Sequence, residues 1–165
     1  MIFRLTNKLA EKIKEDPLPH FEGTASNPYL EWYANYFTIQ KYQYILVINA
    51  SSLLSIVMYG RGITDIDRFK DQFAIQLEDL LLKMDCEMIL RRIILPNLSP
   101  SIVAKTASRT ILGNMNEMKK MIEIAYFMHE LSPVEMTGHL NQTPFNTIGF
   151  MTPEEKFKSM GLGGE

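Results

Sequence analysis

The chain has 165 residues, 46% of them hydrophobic and 22% charged, a balance that excludes global disorder and fits one domain with a core of its own. Its formal net charge of -2 supplies no bulk attraction to nucleic acid, so any basic patch must be local, drawn from Arg91, Arg92, Lys105 and Arg109. One cysteine, Cys86, cannot close an internal disulfide, the first residues turn polar too early for a secretory signal, and no apolar run reaches about 18 residues; a cytoplasmic protein without a membrane span is expected.

Ile2 to Thr6 reads as a short strand with Phe3 and Leu5 on one face, followed by a helix capped at Asn7 with Leu9, Ala10 and Ile13 as its stripe. Asp16 to Pro28 holds Pro17, Pro19, Gly23 and Pro28 and reads as a long loop, a mobile lid or a strap. Glu31 to Tyr59 is the β core. Tyr36 to Ile39, Tyr42 to Ile48 and Leu53 to Tyr59 are rich in aromatic and β-branched residues, with short turns at Gln40-Lys41 and Asn49 to Ser52. An antiparallel meander follows, and its middle run, apolar on both faces, belongs in the centre of the sheet under helices.

Thr64-Asp65-Ile66-Asp67 looks like a helix start, and Phe69, Phe73, Leu77, Leu80, Leu81 and Met84 recur at helical spacing, so this helix should lie across the sheet. Cys86 to Leu95 fits a short helix or a strand equally, and Pro96 to Pro100 is a turn. Ser101 to Thr106 reads as a returning strand and Asn116 to Leu131 as a helix. Ser132-Pro133-Val134-Glu135 and Thr152-Pro153-Glu154-Glu155 each combine a hydroxyl cap, a proline and a glutamate in the pattern of a helix start. Phe145 to Phe150 is expected as a final strand, and Gly161, Gly163 and Gly164 close the chain.

Few residue patterns carry chemistry. Asp85 and Glu87 flank Cys86 and hold its thiol protonated, which argues against a nucleophile. His20, His129 and His139 lack the spacing of a metal motif, and neither a metal nor a cofactor is expected. The acid pairs Asp65/Asp67 and Glu154/Glu155 are explained by first helical turns. Met115, Met118, Met121 and Met128 are read as core in preference to a binding face, and Trp32 with Tyr29, Tyr33 and Tyr36 as a core anchor in preference to a base-stacking cluster.

The connection from Lys105 to Asn116 is the strongest candidate site. Its cations, hydroxyls, glycine and amides suit a phosphate held at a helix start, and equally a capped helix start with Ser108 bonding backbone. Gly113 is read there as a close approach or a left-handed turn. Leu140-Asn141-Gln142-Thr143-Pro144 repeats the same chemistry. Lys105, Arg109, Asn116, Asn141 and Thr143 are the candidate ligand-binding residues, expected to lie close together, with Arg109 the anchor of the region through buried partners or a ligand anion. No catalytic residue is assigned.

Leu5 to Leu9, Trp32-Tyr33-Ala34-Asn35, Lys105 to Glu117 and Leu140 to Pro144 together resemble a family of small uncharacterised bacterial proteins, which carry a Lys-Thr-x-x-Arg-Ser-x-Leu-Gly-Ser-Met-Asn-Asp motif and a Leu-Asn-x-Thr-Pro motif. The likeness runs over nearly the whole chain, with Thr110, Asn114 and Glu117 in place of the usual Ser, Ser and Asp. It implies a bacterial origin and no specific chemistry. The expected fold is α+β over residues 1–165, an antiparallel sheet of about four to six strands packed by several helices. The expected role is a non-enzymatic binding module partnered by a second copy or another protein; the alternative is a protein acting on a nucleotide or nucleic acid.

Overall fold

The computed structural model describes residues 1–161, so Gly163 and Gly164 lie outside the described residues. β2 (Glu31–Ile39), β3 (Tyr42–Asn49) and β4 (Ser55–Tyr59) form the expected antiparallel meander. The sheet as a whole is mixed, which corrects the all-antiparallel expectation. β1 (Ile2–Leu5) runs parallel to both β2 and β5 (Ile102–Lys105), giving the order β4-β3-β2-β1-β5. Parallel neighbours need a long crossover. Residues 6–30 supply one between β1 and β2, and the helices after β4 fill the connection to β5. β3 is interior, as its apolar run requires, although the middle place belongs to β2.

Helices cover both faces, because strand side chains alternate and each face is apolar. On one face Phe3, Trp32, Ala34, Val47 and Ile56 meet α1 (Asn7–Lys12), α2 (Ile66–Lys83) and Phe157 of α7 (Pro153–Ser159). Phe69, Phe73, Leu77 and Leu81 form the buried stripe of α2, and Phe73 meets Phe3 and Trp32 edge-on at 5.2 and 5.1 Å. On the other face Tyr33, Phe37, Tyr44, Leu46 and Val57 meet α5 (Arg109–His129) and α6 (Pro133–Asn141). Met115 and Met118 are core here, as expected, and Met121 packs half-buried against them, but Met128, also read as core, is exposed, because it lies off the buried stripe of α5. Buried Asn49 organises the turn into β4: its carboxamide oxygen accepts from Ser51 and Ser52, and its amide donates to the Pro28 and Glu31 carbonyls.

Both proline-led starts carry the full capping box, Ser132 with Glu135 and Thr152 with Glu155. Elsewhere the caps shift by one residue: Thr6 caps α1 where Asn7 was expected, and Asp65 caps α2 by accepting from Arg68 N–H. Cys86 to Leu95 is helical: α3 (Glu87–Ile89) runs on through a π-helical Leu90–Ile94 into α4 (Leu95–Asn97). The strand expected at Phe145 to Phe150 is instead a 3-10 turn at Asn146–Ile148. Gly149 and Phe150 N–H bond the Asn146 and Phe145 carbonyls, so the backbone of this segment is satisfied locally and not in a ladder.

Candidate functional site

Gly60 N–H donates to the Gln43 carbonyl and Asn49 N–H to the Leu54 carbonyl. Even-numbered residues of β4 therefore bond β3, and Ser55, Val57 and Tyr59 turn their backbone groups outward. An open edge of this kind recruits other strands. Here α6 closes it with side chains. Ser55 N–H donates to Asn141 Oδ1 at 2.8 Å, and Asn141 Nδ2 donates to the Ser55 carbonyl at 2.9 Å. One helical turn back, Thr137 Oγ1 accepts from Val57 N–H at 2.9 Å and donates to its carbonyl at 3.4 Å. The carboxamide of Asn141 thus acts as an added peptide group. Thr143 donates to the His139 carbonyl and finishes α6.

The Lys105 to Asn116 stretch is helix from Arg109 onward, earlier than the sequence suggested. Ser108 is the cap, its hydroxyl accepting from Ile111 N–H at 3.2 Å. Gly113 lies inside the helix with open space around it, so neither a left-handed turn nor a close approach explains it. Asn114 is buried and accepts from Thr147 at 3.0 Å. Tyr33 is buried at this helix start. Burial pushes its hydroxyl pKa up, Arg4 pulls it back, and the Ala107 and Ser108 N–H groups do the same. With Ser108 Oγ accepting from Ile111 N–H, one backbone donor of this helix start is occupied before any anion arrives.

Arg109 is exposed and makes no hydrogen bond or ion pair among the described residues. The anchoring role expected of it belongs to Arg4, only 2% exposed. Arg4 Nε meets Glu31 Oε1 at 2.7 Å, and the remaining guanidinium donors reach the Phe21, Gly23 and Lys105 carbonyls. Glu31 accepts from Ala25 N–H with its second oxygen at 3.0 Å. This pair ties residues 21–25 to β1, β2 and the end of β5. Lys105 N–H bonds the Pro19 carbonyl, so the proline-rich segment is a strap over the β5 edge and not a lid. Nothing in the spacing of Arg4 and Glu31, 27 residues apart, reveals the pair.

The five sequence-derived candidates do not converge. Lys105 ends β5, while Asn141 seals β4, at the opposite edge four strand spacings away, about 19 Å. Asn116 is exposed midway along α5. Cys86 is buried, and burial pushes its thiol pKa up, the state of an unreactive cysteine. The expected aromatic cluster is core: Tyr29 and Trp32 are fully buried and Tyr33 nearly so.

A surface that the sequence did not announce lies at the far end of the sheet. Ile124, Phe127 and Met128 are 59%, 62% and 70% exposed at adjacent positions of α5. Phe127 packs edge-on against Tyr126 at 5.2 Å, and Tyr126 against Tyr42 of β3 at 6.0 Å. Tyr59, the last residue of β4, stacks on Tyr44, whose hydroxyl pKa is pushed up to about 12 by burial and its tyrosine neighbours. Lys41 lies 5.4 Å over the Tyr42 ring and Arg61 lines the same cleft. The sequence offered Met128 as part of a binding face, a reading set aside for core, and Ile124 and Phe127 beside it make the apolar surface of α5 wider than one buried stripe requires.

Residues 2–156 match a family described as Domain of unknown function (DUF6933). The chain belongs to this family. No curated protein and no solved structure matches it. Among the described residues no helix is long and apolar enough to cross a membrane.

Proposed function

We propose that the domain is a non-enzymatic interaction module that docks another protein on the Ile124, Phe127 and Met128 surface and its bordering tyrosines. The exposure of those three side chains carries the reading. Together they leave on the order of 350 Å² of apolar surface, the size of patch that often marks a binding surface on a monomer. Tyrosine and phenylalanine rims suit protein partners, since they give large contact area at low entropic cost. The polar candidates support the same reading, because Asn141 and Thr143 are engaged with backbone and the helix start at Ser108 is capped. The setting we infer is the bacterial cytoplasm, which suits a lone reduced cysteine and the family resemblance.

A second reading, single-stranded nucleic acid stacked on Tyr42 and Phe127, draws on Lys41 over the Tyr42 ring. A photo-crosslinking residue placed at Ile124 in cells separates the two, with Asp67 on α2 as the control position. A protein adduct at Ile124 and none at Asp67 is expected, and Phe127→Ser/Met128→Ser should abolish it at unchanged melting temperature. A nucleic-acid adduct, or equal yields from both positions, overturns the proposal.

A further inference from the structure

The seal on β4 stops short. Asn141 closes Ser55 and Thr137 closes Val57, and the next position one turn back along α6 is Pro133, whose ring has no polar atom to offer. Tyr59 is the third outward-facing residue, and among the described residues no side chain bonds its N–H or carbonyl. Its edge opens into a cleft of about 570 Å³ between α2 and the start of α6, walled by Gln72 and Gln76 on one side and by Val134, 56% exposed, on the other. Two cations stand at its mouth. Arg68 is shared with Asp65 at 3.5 Å, while Arg61 makes no ion pair among the described residues, and Asp71 is the single acid lining the cleft. Lys41 adds a further cation beside Tyr59 and Arg61.

We infer that this cleft binds an extended, acidic peptide segment that adds one strand increment to the open Tyr59 edge and sets a carboxylate against Arg61. Strand addition supplies main-chain hydrogen bonds, and the alternation of side chains puts one residue toward Val134 and the next toward the cations. The charge selects the occupant: a basic segment, or a second copy presenting the same arginines across a two-fold axis, brings like charges together. This site stands on the β4 edge alone and does not depend on the α5 surface described above.

The probe is an acetylated and amidated peptide alternating valine and glutamate, with a matched valine and lysine peptide as control. Amide hydrogen exchange of the full chain is followed by NMR. In the free protein the Ser55 and Val57 amides should be protected and Tyr59 should exchange rapidly. The glutamate peptide should bind saturably, slow exchange at Tyr59, and bind about tenfold tighter than the lysine peptide. Arg61→Glu should remove that preference. Tyr59→Pro deletes the outward N–H without touching the ladder to β3 and should abolish binding, while Tyr59→Ala keeps it. Should the proline variant fail to fold, the Arg61→Glu arm decides alone. Equal binding of the two peptides, binding of neither, or a Tyr59 amide already protected in the free protein overturns the inference. Protection that grows with protein concentration alone assigns the edge to a second copy and overturns it too.

Discussion

Asn141→Ala tests the reading of α6 as a side-chain seal on the sheet. The substitution removes two hydrogen bonds, of 2.8 and 2.9 Å, and leaves the Ser55 N–H and carbonyl without partners in a site where Ser55 itself is fully buried. A buried polar group left unpaired costs about 1–3 kcal/mol, so the two groups together should cost about 2–4 kcal/mol after partial relaxation. For a domain of this length that is a fall in melting temperature of about 5–15 °C. Urea unfolding gives the free energy, and hydrogen exchange at the Ser55 amide locates it. Thr137→Val, which removes one good bond at Val57, should cost about 1–2 kcal/mol. In the double variant all three outward positions of β4 are open, a strip of about 17 Å, and edge-to-edge self-association should appear in sedimentation velocity. A loss below about 1 kcal/mol for Asn141→Ala, with Ser55 still protected, would refute the seal.

Arg4→Met should destabilise the fold by about 3–5 kcal/mol, because it strands the Glu31 carboxylate in the core, and limited proteolysis should then cut within residues 16–27. Gly113→Ala should stabilise by about 0.5–1 kcal/mol in urea unfolding, since the position is helical and a methyl group there meets nothing within 4 Å. Burial raises the Tyr29 and Tyr44 hydroxyl pKa values to about 12, so their contribution is intact below the ordinary value near 10 and is lost as pH climbs from about 10 towards 12. Chemical denaturation across that window should show the decline, and Tyr29→Phe/Tyr44→Phe should flatten it.

Local chemistry was legible in the sequence. The capping boxes at Ser132 and Thr152, the stripe of α2 and the meander from β2 to β4 follow from neighbours a few residues apart, and they formed as read; Ser108 as a cap was one of two equal readings. Hydrophobic period is a property of the segment, so it survives whatever the segment packs against. The candidate site fared differently. Amide and hydroxyl residues in Leu140 to Pro144 pointed to a bonded backbone or a held ligand alike, and nothing in them named β4, 86 residues earlier, as the partner.

What the sequence alone determined is the β2 to β4 meander, the apolar stripe of α2 and the two capping-box helix starts. The tertiary structure decided the rest: that β1 and β5 pair parallel, that Arg4 and not Arg109 is the buried anchor, that Asn141 and Thr137 close an edge that stays open at Tyr59, and that Ile124, Phe127 and Met128 face solvent. Each of these depends on which distant segment arrives opposite a residue. An ion pair or an edge bond costs nothing in local conformation and leaves no period behind, so only the folded arrangement reveals it.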